Sequence, residues 1–258
     1  MSVALSTDSR GIATLTLDRT EKHNALSADL IGALHRAVDG IAADPEVRVV
    51  ILTGAGRSFC AGGDLGWMRA QFDADRAGRM AEARRLAAML HALNTLPKPV
   101  IARVQGPAYG GGVGMMAVAD CVIAAEGARF GLTETRLGLI PATISPYVIA
   151  RMGEGPARSV FMSARLFDAA EAVRLHLVSR AVPEAELDAA VEAEALAYLA
   201  CAPAAVAAAK SLARSLGPQI DEGVIEETIE RLADTWETPE ARAGIAAFFE
   251  KRPAPWVR

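Results

Sequence analysis

The chain has 258 residues and a formal charge of −4, and 52% of its residues are apolar although only 5% are aromatic. A chain of this length buries enough surface for one large domain or a domain with a subdomain, so it needs no disulfide or metal to stabilise it. The mildly acidic balance, without a long run of Lys and Arg, argues against nucleic acid or an anionic membrane as a partner.

The cysteines and the apolar segments bear on the cellular location. Cys60, Cys121 and Cys201 form no closely spaced pair, and the N-terminal residues lack a charged start followed by an apolar core. This pattern predicts a reducing compartment, with the cytoplasm as the default. The Ala-rich stretch at 202–209 contains Pro203 and is shorter than the ~20 apolar residues that a membrane crossing requires. We therefore expect a soluble cytoplasmic protein.

The first half of the chain shows alternating strand and helix patterns. Apolar residues alternate with period two over 11–18, and they recur at intervals of three or four over 28–38, after Ser27, which is placed to cap a helix. The remaining segments of this half are predicted as strands at 47–53, 100–104 and 121–125 and as helices at 75–96 and 113–119. This order of elements is typical of an α/β fold.

After residue 144 helical patterns dominate, with one short strand predicted at 177–182. Pro203, the Gly217-Pro218 pair and the Thr238-Pro239 pair divide the last part into three helical pieces. We therefore predict an α/β core over residues 1–200 and a C-terminal helical subdomain over residues 201–258.

Two glycine-rich loops each follow a predicted apolar strand, one at 54–66 and the other at 106–112. Glycine lets bare backbone N–H groups approach a ligand, and two such donors aimed at one oxygen make an oxyanion hole. An ordinary tight turn would use glycine in the same way, so each cluster alone is a weak signal. Two clusters in matching positions favour a shared crevice.

Other kinds of site fit the sequence less well. The four histidines lack metal-ligand spacing, and neither a GxSxG elbow nor a GxxxxGK[ST] loop is present. A GxGxxA pattern from Gly112 to Ala117, with Glu134 downstream, formally matches a dinucleotide site. However, seven residues separate Val104 from Gly112, and Glu126 rather than Glu134 follows the next predicted strand. An NAD-dependent oxidoreductase stays a rival interpretation.

Three motifs lie in register along the chain: Ser58-Phe59-Cys60-Ala61-Gly62-Gly63-Asp64-Leu65, Gly106-Pro107-Ala108-Tyr109-Gly110-Gly111-Gly112 and Phe130-Gly131-Leu132-Thr133-Glu134. Together they resemble the enoyl-CoA hydratase/isomerase (crotonase) superfamily, from the segment at 22–26 to the segment at 248–252. The resemblance implies an α/β fold, a crotonase-like spiral of ββα units with a C-terminal helical subdomain. It also implies homotrimers or hexamers built as dimers of trimers, with the tail packed between subunits.

The resemblance also implies a set of site residues. Gly63 and Gly111 would donate the N–H groups that hold the thioester oxygen of an acyl-CoA, and Glu134 would be the acid–base residue. Substrate-binding positions would be Lys22, Ala25, Ala61, Asp64, Leu65, Gly114, Phe248 and Lys251, the last two near the CoA of a neighbouring subunit. No metal and no separate cofactor are implied, since CoA is part of the substrate.

Gly114 departs from the best-known hydratases of this family, which carry a glutamate at that position. One carboxylate, Glu134, must then perform the acid–base work. Segments 66–68 and 140–146 are similar to bacterial methylglutaconyl-CoA hydratases, whose branched substrates carry a second carboxylate that Arg136 or Arg69 could bind. A Δ3,Δ2-enoyl-CoA isomerase and a catalytically silent CoA-binding paralogue remain alternatives.

Overall fold

The structure, a computed structural model, describes residues 2–258. The strands of this part of the chain are β1 (Val3–Thr7), β2 (Ile12–Leu17), β3 (Val49–Gly54), β4 (Val100–Val104), β5 (Ala108–Tyr109), β6 (Cys121–Ala125), β7 (Arg129–Gly131), β8 (Leu166–Asp168) and β9 (Arg180–Val182).

The α-helices are α1 (Ala28–Ala43), α2 (Leu65–Asp73), α3 (Arg76–Thr95), α4 (Gly111–Val118), α5 (Ser145–Met152), α6 (Glu154–Phe161), α7 (Ala169–Arg174), α8 (Leu187–Leu199), α9 (Pro203–Leu216), α10 (Glu222–Trp236) and α11 (Pro239–Phe249). Short 3₁₀ turns cover Thr20–Lys22, Glu134–Leu137 and Glu184–Glu186.

Six strands form the main sheet in the order β1-β2-β3-β4-β6-β9, and every pair except β1-β2 is parallel. Leu15 of β2 lies opposite Leu52 of β3, which lies opposite Ala102 of β4. These residues face the larger core with α1, α3 and α4, while Ile51 and Ile101 face α8 on the other side. Both faces are covered, and this explains why the central strands read as continuous apolar runs.

A second, smaller sheet of three strands lies at the glycine loop of residues 106–112. Its order is β5-β7-β8, with β5 parallel to β7 and β7 antiparallel to β8. The pairing places Tyr109 opposite Gly131. The α/β prediction is confirmed, with two sheets and helices on both faces of the larger one.

The elements differ from the predicted ones in several places, and the strands of the second sheet were not predicted. The N-terminal strand β1 pairs with β2 and was not predicted. The last strand, β9, covers three residues only. Leu177 and Val178, which were predicted as part of it, are buried but lie before the strand begins. The loop predicted at 54–66 ends at Asp64, whose carboxylate accepts hydrogen bonds from the backbone N–H groups of Gly66 and Trp67 and caps α2.

The helical tail folds back over its own chain. Helix α10 packs on α3, where Ile229 joins Ala83 and Ala87 in a buried cluster, and Arg76 bonds Asp234 at 2.8 Å. Helix α11 begins against Gly138, where a Cβ would lie 2.7 Å from the carbonyl carbon of Glu240. The division at residue 200 stays a prediction, since the tail and the core share these contacts.

Among residues 2–258, no single helix is long and apolar enough to cross a membrane. Two consecutive segments, Glu184–Leu199 and Pro203–Leu216, satisfy length and composition only as a pair bent by 103°.

Candidate active site

The two glycine loops are joined directly to each other. Cys60 and Ala108 form a parallel bridge, in which the Tyr109 N–H donates to the Cys60 carbonyl at 2.9 Å and the Cys60 N–H donates to the Pro107 carbonyl at 3.2 Å. At Gly112 a Cβ would lie 2.6 Å from the Cys60 carbonyl oxygen, so only glycine allows this approach. The loops therefore hold a fixed relative position.

Two amides of these loops are free to bind a ligand. Leu26 bonds the backbone on either side of Gly63, since its N–H donates to Gly62 and its carbonyl accepts from Asp64. The Gly63 N–H is thereby left facing away from Leu26, and the Gly111 N–H belongs to the first turn of α4, where helix amides lack internal partners. Neither N–H has an acceptor within the described residues. Both glycines line one cavity.

Glu134 reaches the same cavity from the second sheet. The Gly110 N–H donates to the Gly131 carbonyl at 3.0 Å, which brings the end of β7 beside the glycine loop. A 3₁₀ turn then covers Glu134–Leu137, and α11 packs against the following residue, Gly138. Gly110 adopts φ +47°, and a Cβ there would lie 2.9 Å from Oε1 of Glu134. The carboxyl group therefore sits directly against the loop that carries Gly111.

The surroundings of Glu134 change its protonation. Burial raises the pKa of its carboxyl from 4.5 to about 7, against a smaller lowering effect of its own backbone N–H. Its Oε2 is inaccessible and has no hydrogen-bond partner among the described residues. A carboxyl group with a pKa near neutrality can both accept and donate a proton at physiological pH.

The cavity has a volume of about 500 Å³ and an apolar wall. Its large apolar lining residues come from α2, α3, the loop before α5 and the tail: Trp67, Met68, Leu86, Ile140, Ile144, Leu232, Trp236 and Phe248. A mostly apolar cleft with a few convergent polar groups is the usual form of a small-molecule site.

The sequence-predicted residues fall into two groups. Those that line the cavity are Ala61, Gly63, Leu65, Gly111, Glu134 and Phe248. The others, Lys22, Ala25, Asp64, Gly114 and Lys251, do not line it; Lys22 and Lys251 are exposed, and Ala25 and Gly114 are buried. Phe248 lies at the cavity of its own chain, whereas the resemblance implied a residue from a neighbouring subunit.

Asp64 organises the loop. Its Oδ2 lies 3.2 Å from Nη2 of Arg19, and Nη1 of the same arginine donates to the Ala25 carbonyl at 2.9 Å. Burial acts to raise the pKa of Asp64, but the Trp67 and Gly66 amides and Arg19 outweigh it, and the pKa is lowered overall. Asn24, which was not predicted, ties the same loop by donating to the carbonyls of Ala55 and Ser58.

Gly114 is covered by a wall residue of the cavity. A Cβ at this position would lie 2.5 Å from Cγ2 of Ile144 and 3.8 Å from Cδ1 of Leu90. No side chain fits there without displacing Ile144. The position at which the resemblance implied a glutamate in the best-known hydratases is thus covered by hydrocarbon from Ile144.

The arginines differ in position. Arg136 lines the cavity, whereas Arg69 lies outside it and stacks over Phe249 with its guanidinium carbon 4.6 Å from the ring centroid. Arg79 and Gln71 line the cavity and were not predicted. A signal for this face existed in the sequence, because Arg79, Ala83 and Leu86 recur at helical spacing on α3.

Two free amides and one carboxyl of raised pKa around a single cavity are the kinds of group with which enzymes stabilise a developing oxyanion and move a proton. Comparisons with known proteins specify the family. Residues 7–258 match the family Enoyl-CoA hydratase/isomerase. The chain is 34% identical to human mitochondrial methylglutaconyl-CoA hydratase over 258 residues, covering 96% of this chain and 74% of the relative.

Solved structures give the same result. An enoyl-CoA hydratase from Shewanella pealeana has 36% identity and a TM-score of 0.82, with 99% of this chain and 96% of the other covered. One from Mycobacterium avium has 30% identity and a TM-score of 0.86, with 99% of both chains covered. The chain belongs to the enoyl-CoA hydratase/isomerase family and is an enzyme of that family. The crotonase-like fold predicted from the resemblance is confirmed.

Proposed function

We propose that this enzyme adds water across the double bond of a 2-enoyl-CoA thioester. The observation that carries the proposal is the convergence of the free Gly63 and Gly111 amides and the Glu134 carboxyl on one cavity. The proposed step uses only these groups. Hydration involves no net oxidation or reduction and so needs no redox cofactor, and CoA arrives as part of the substrate.

The proposed reaction proceeds as follows. The thioester oxygen accepts hydrogen bonds from the Gly63 and Gly111 N–H groups. Glu134, as the carboxylate, takes a proton from water while the water oxygen bonds to the β-carbon, and the electron pair of the double bond moves to the thioester oxygen. The resulting enolate collapses and takes the proton from Glu134 at the α-carbon. One glutamate thus serves as base and then as acid, which suits a pKa near neutrality.

One amide donor and the acid–base residue should lower the reaction barrier by similar amounts. Each amide donor is worth about 2.7–4 kcal/mol to an oxyanion transition state. The positive end of α4, which starts at Gly111, adds to this stabilisation. An acid–base residue contributes about 10²–10⁴-fold in rate.

Glu134→Gln tests the assignment. We expect kcat for crotonyl-CoA hydration to fall by about 10²–10⁴-fold while affinity for the saturated butyryl-CoA is retained. The matched control, Glu46→Gln, removes an exposed carboxylate far from the cavity and leaves the rate unchanged. A Glu134→Gln variant with wild-type turnover would disprove the mechanism. Wild-type protein that binds the thioester but turns over no member of an enoyl-CoA panel would indicate the silent paralogue.

A Δ3,Δ2-enoyl-CoA isomerase is a second candidate, because the hydrocarbon of Ile144 covers Gly114 and Glu134 is the one carboxyl group of the described residues that lines the cavity. Glu134 would then take a proton from the α-carbon of a 3-enoyl thioester and return it to the γ-carbon. Labelled water separates the reactions, because hydration incorporates the labelled oxygen and isomerisation does not.

As a finer proposal, the acyl group is branched and resembles that of 3-methylglutaconyl-CoA. The name of the human relative and the position of Arg136 at the cavity support this. The decisive comparison is kcat/KM on 3-methylglutaconyl-CoA against crotonyl-CoA; a clear preference for crotonyl-CoA would reject the branched substrate.

We also propose that the chain assembles as a trimer or as a dimer of trimers in a reducing compartment such as the cytoplasm. None of the residues of α9 is fully buried, and Leu212 and Leu216 are 60% and 80% exposed, as expected for a face that another subunit covers. Cys60, Cys121 and Cys201 are all unpaired. Light scattering on the full chain and on a Leu212→Asp/Leu216→Asp variant tests the assembly; a wild-type monomer would refute it.

A further inference from the structure

Two neutral polar residues of the cavity wall have no protein partner. Gln71 and Thr143 are each only 6% exposed, and both line the cavity. The Gln71 amide and the Thr143 hydroxyl form no hydrogen bond with another described residue, and neither group is sealed from solvent as Oε2 of Glu134 is. Buried polar groups are normally bonded. These two are therefore available to a ligand inside the cavity.

Arg79 stands beside Gln71 in a fixed orientation. Its Nε donates to the Gln71 carbonyl at 2.8 Å and its Nη2 to the Phe72 carbonyl at 3.1 Å, and its guanidinium lies 5.4 Å from the ring centroid of Trp236. These bonds satisfy carbonyls at the end of α2. Its Nη1 has no partner among residues 2–258, so one edge of the guanidinium remains free.

The charge balance of the cavity is positive. Arg79 and Arg136 both line it, and neither forms an ion pair with a described carboxylate. Nearby Arg76, on the same helix as Arg79, bonds Asp234 and Glu237 outside the cavity at 2.8 and 3.0 Å. Arg136 is exposed, whereas Arg79 is partly buried, so an anionic ligand in the cavity would supply Arg79 with the counter-ion that the described residues do not provide.

We propose that Arg79 and Gln71 form the subsite that recognises the distal carboxylate of the acyl group, and that they thereby select CoA thioesters of dicarboxylic acids over those of monocarboxylic acids of the same length. This inference rests on the proposed function, since it assigns the acyl chain of the same site. A guanidinium that is fixed on one edge and open on the other presents donors to a carboxylate with little loss of side-chain entropy. Of the two arginines that the sequence analysis considered, Arg136 lines the same cavity but is exposed, and Arg69 stacks outside it.

Binding of unreactive thioesters tests the subsite apart from catalysis. Glutaryl-CoA and pentanoyl-CoA have acyl chains of equal length, and only the first carries the distal carboxylate. By calorimetry we expect wild-type enzyme to bind glutaryl-CoA about ten- to hundredfold more tightly, as charge-assisted hydrogen bonds provide. In Arg79→Gln this ratio should approach one, and in Arg79→Lys it should be intermediate. The control Arg76→Gln, on the same helix, should keep the wild-type ratio.

The outcomes separate the two proposals. If wild-type enzyme binds both thioesters equally well, the subsite is refuted and the hydratase proposal stands. If it binds neither, the proposed function itself fails. If Arg79→Gln lowers the affinity for both thioesters equally, or retains the preference for glutaryl-CoA, the subsite is refuted and Arg79 only caps α2. A lower melting temperature of the variant would accompany that structural role.

Discussion

Burial of Glu134 should make the folded protein less stable at high pH, and Glu134→Gln should relieve this cost. The carboxyl has an ordinary pKa of 4.5 and a folded-state pKa of about 7, because burial disfavours its charged form. At about 1.36 kcal/mol per pKa unit, this difference corresponds to about 3 kcal/mol.

The sign follows from proton binding. At low pH both states hold the proton and Glu134 has no effect. Between pH 4.5 and about 7 the unfolded chain releases the proton while the folded chain keeps it, so the free energy of unfolding falls as pH rises. Above that range both states are ionised and the cost is constant. The cost is thus fully present above the folded-state pKa.

Urea unfolding at fixed protein concentration measures the effect. Glu134→Gln should be more stable than wild type by about 3 kcal/mol near pH 8 and by less than about 1 kcal/mol near pH 5. The exposed control Glu46→Gln should show no comparable gain at either pH. A Glu134→Gln variant that is equally or less stable near pH 8, or whose gain is the same at both pH values, would refute the buried-carboxyl reasoning.

Three further predictions concern the same site. Because the proposed hydration needs ionised Glu134, kcat/KM should rise with pH through about 7; a flat profile across this range would contradict the assignment. Gly114→Ala should lower the free energy of unfolding by about 1–3 kcal/mol, because the added Cβ would collide with Ile144. The control Gly40→Ala, which has open space around it in α1, should not destabilise the protein. Chemical denaturation measures both variants, and an equal free energy of unfolding for the two would reject the collision. Gly110→Ala should lower kcat by up to about 10²-fold, because a φ of +47° is unfavourable for alanine and the new Cβ would displace Oε1 of Glu134. An unchanged kcat would show that the contact between this loop and Glu134 is not needed.

The sequence predicted the buried strands well, for a physical reason. Strands β2, β3, β4 and β6 are covered on at least one face, so their apolar patterns are strong. Strand β1 escaped prediction because it lies at the sheet edge with four of its five residues exposed, and such a strand carries little apolar pattern. Helix α2 escaped because Gly66 in its first turn extended the apparent glycine loop.

Site residues that depend on distant contacts could not be predicted in the same way. Nothing near Gly114 in the sequence shows that Ile144, thirty residues later, fills the space above it. Arg79 lies within a helix of mixed charge, where an arginine ordinarily faces solvent, and only the packing of α10 on α3 places it beside Trp236. Gly63, Gly111 and Glu134 could be named from the sequence because the motifs that carry the resemblance are short runs of neighbouring residues and need no distant contact to be recognised.

The tail bears on the proposed chemistry through Glu134. The 3₁₀ turn that carries this residue is held on one side by the bond between Gly110 and Gly131 and on the other by α11, which meets Gly138 and Leu137. Trp236 and Phe248 complete the cavity from the tail. Because burial raises the pKa of Glu134, the helices that close the cavity contribute to the protonation behaviour of the proposed acid–base residue. Under the proposed mechanism the C-terminal region is therefore part of the catalytic unit of the chain itself, in addition to its proposed role in assembly.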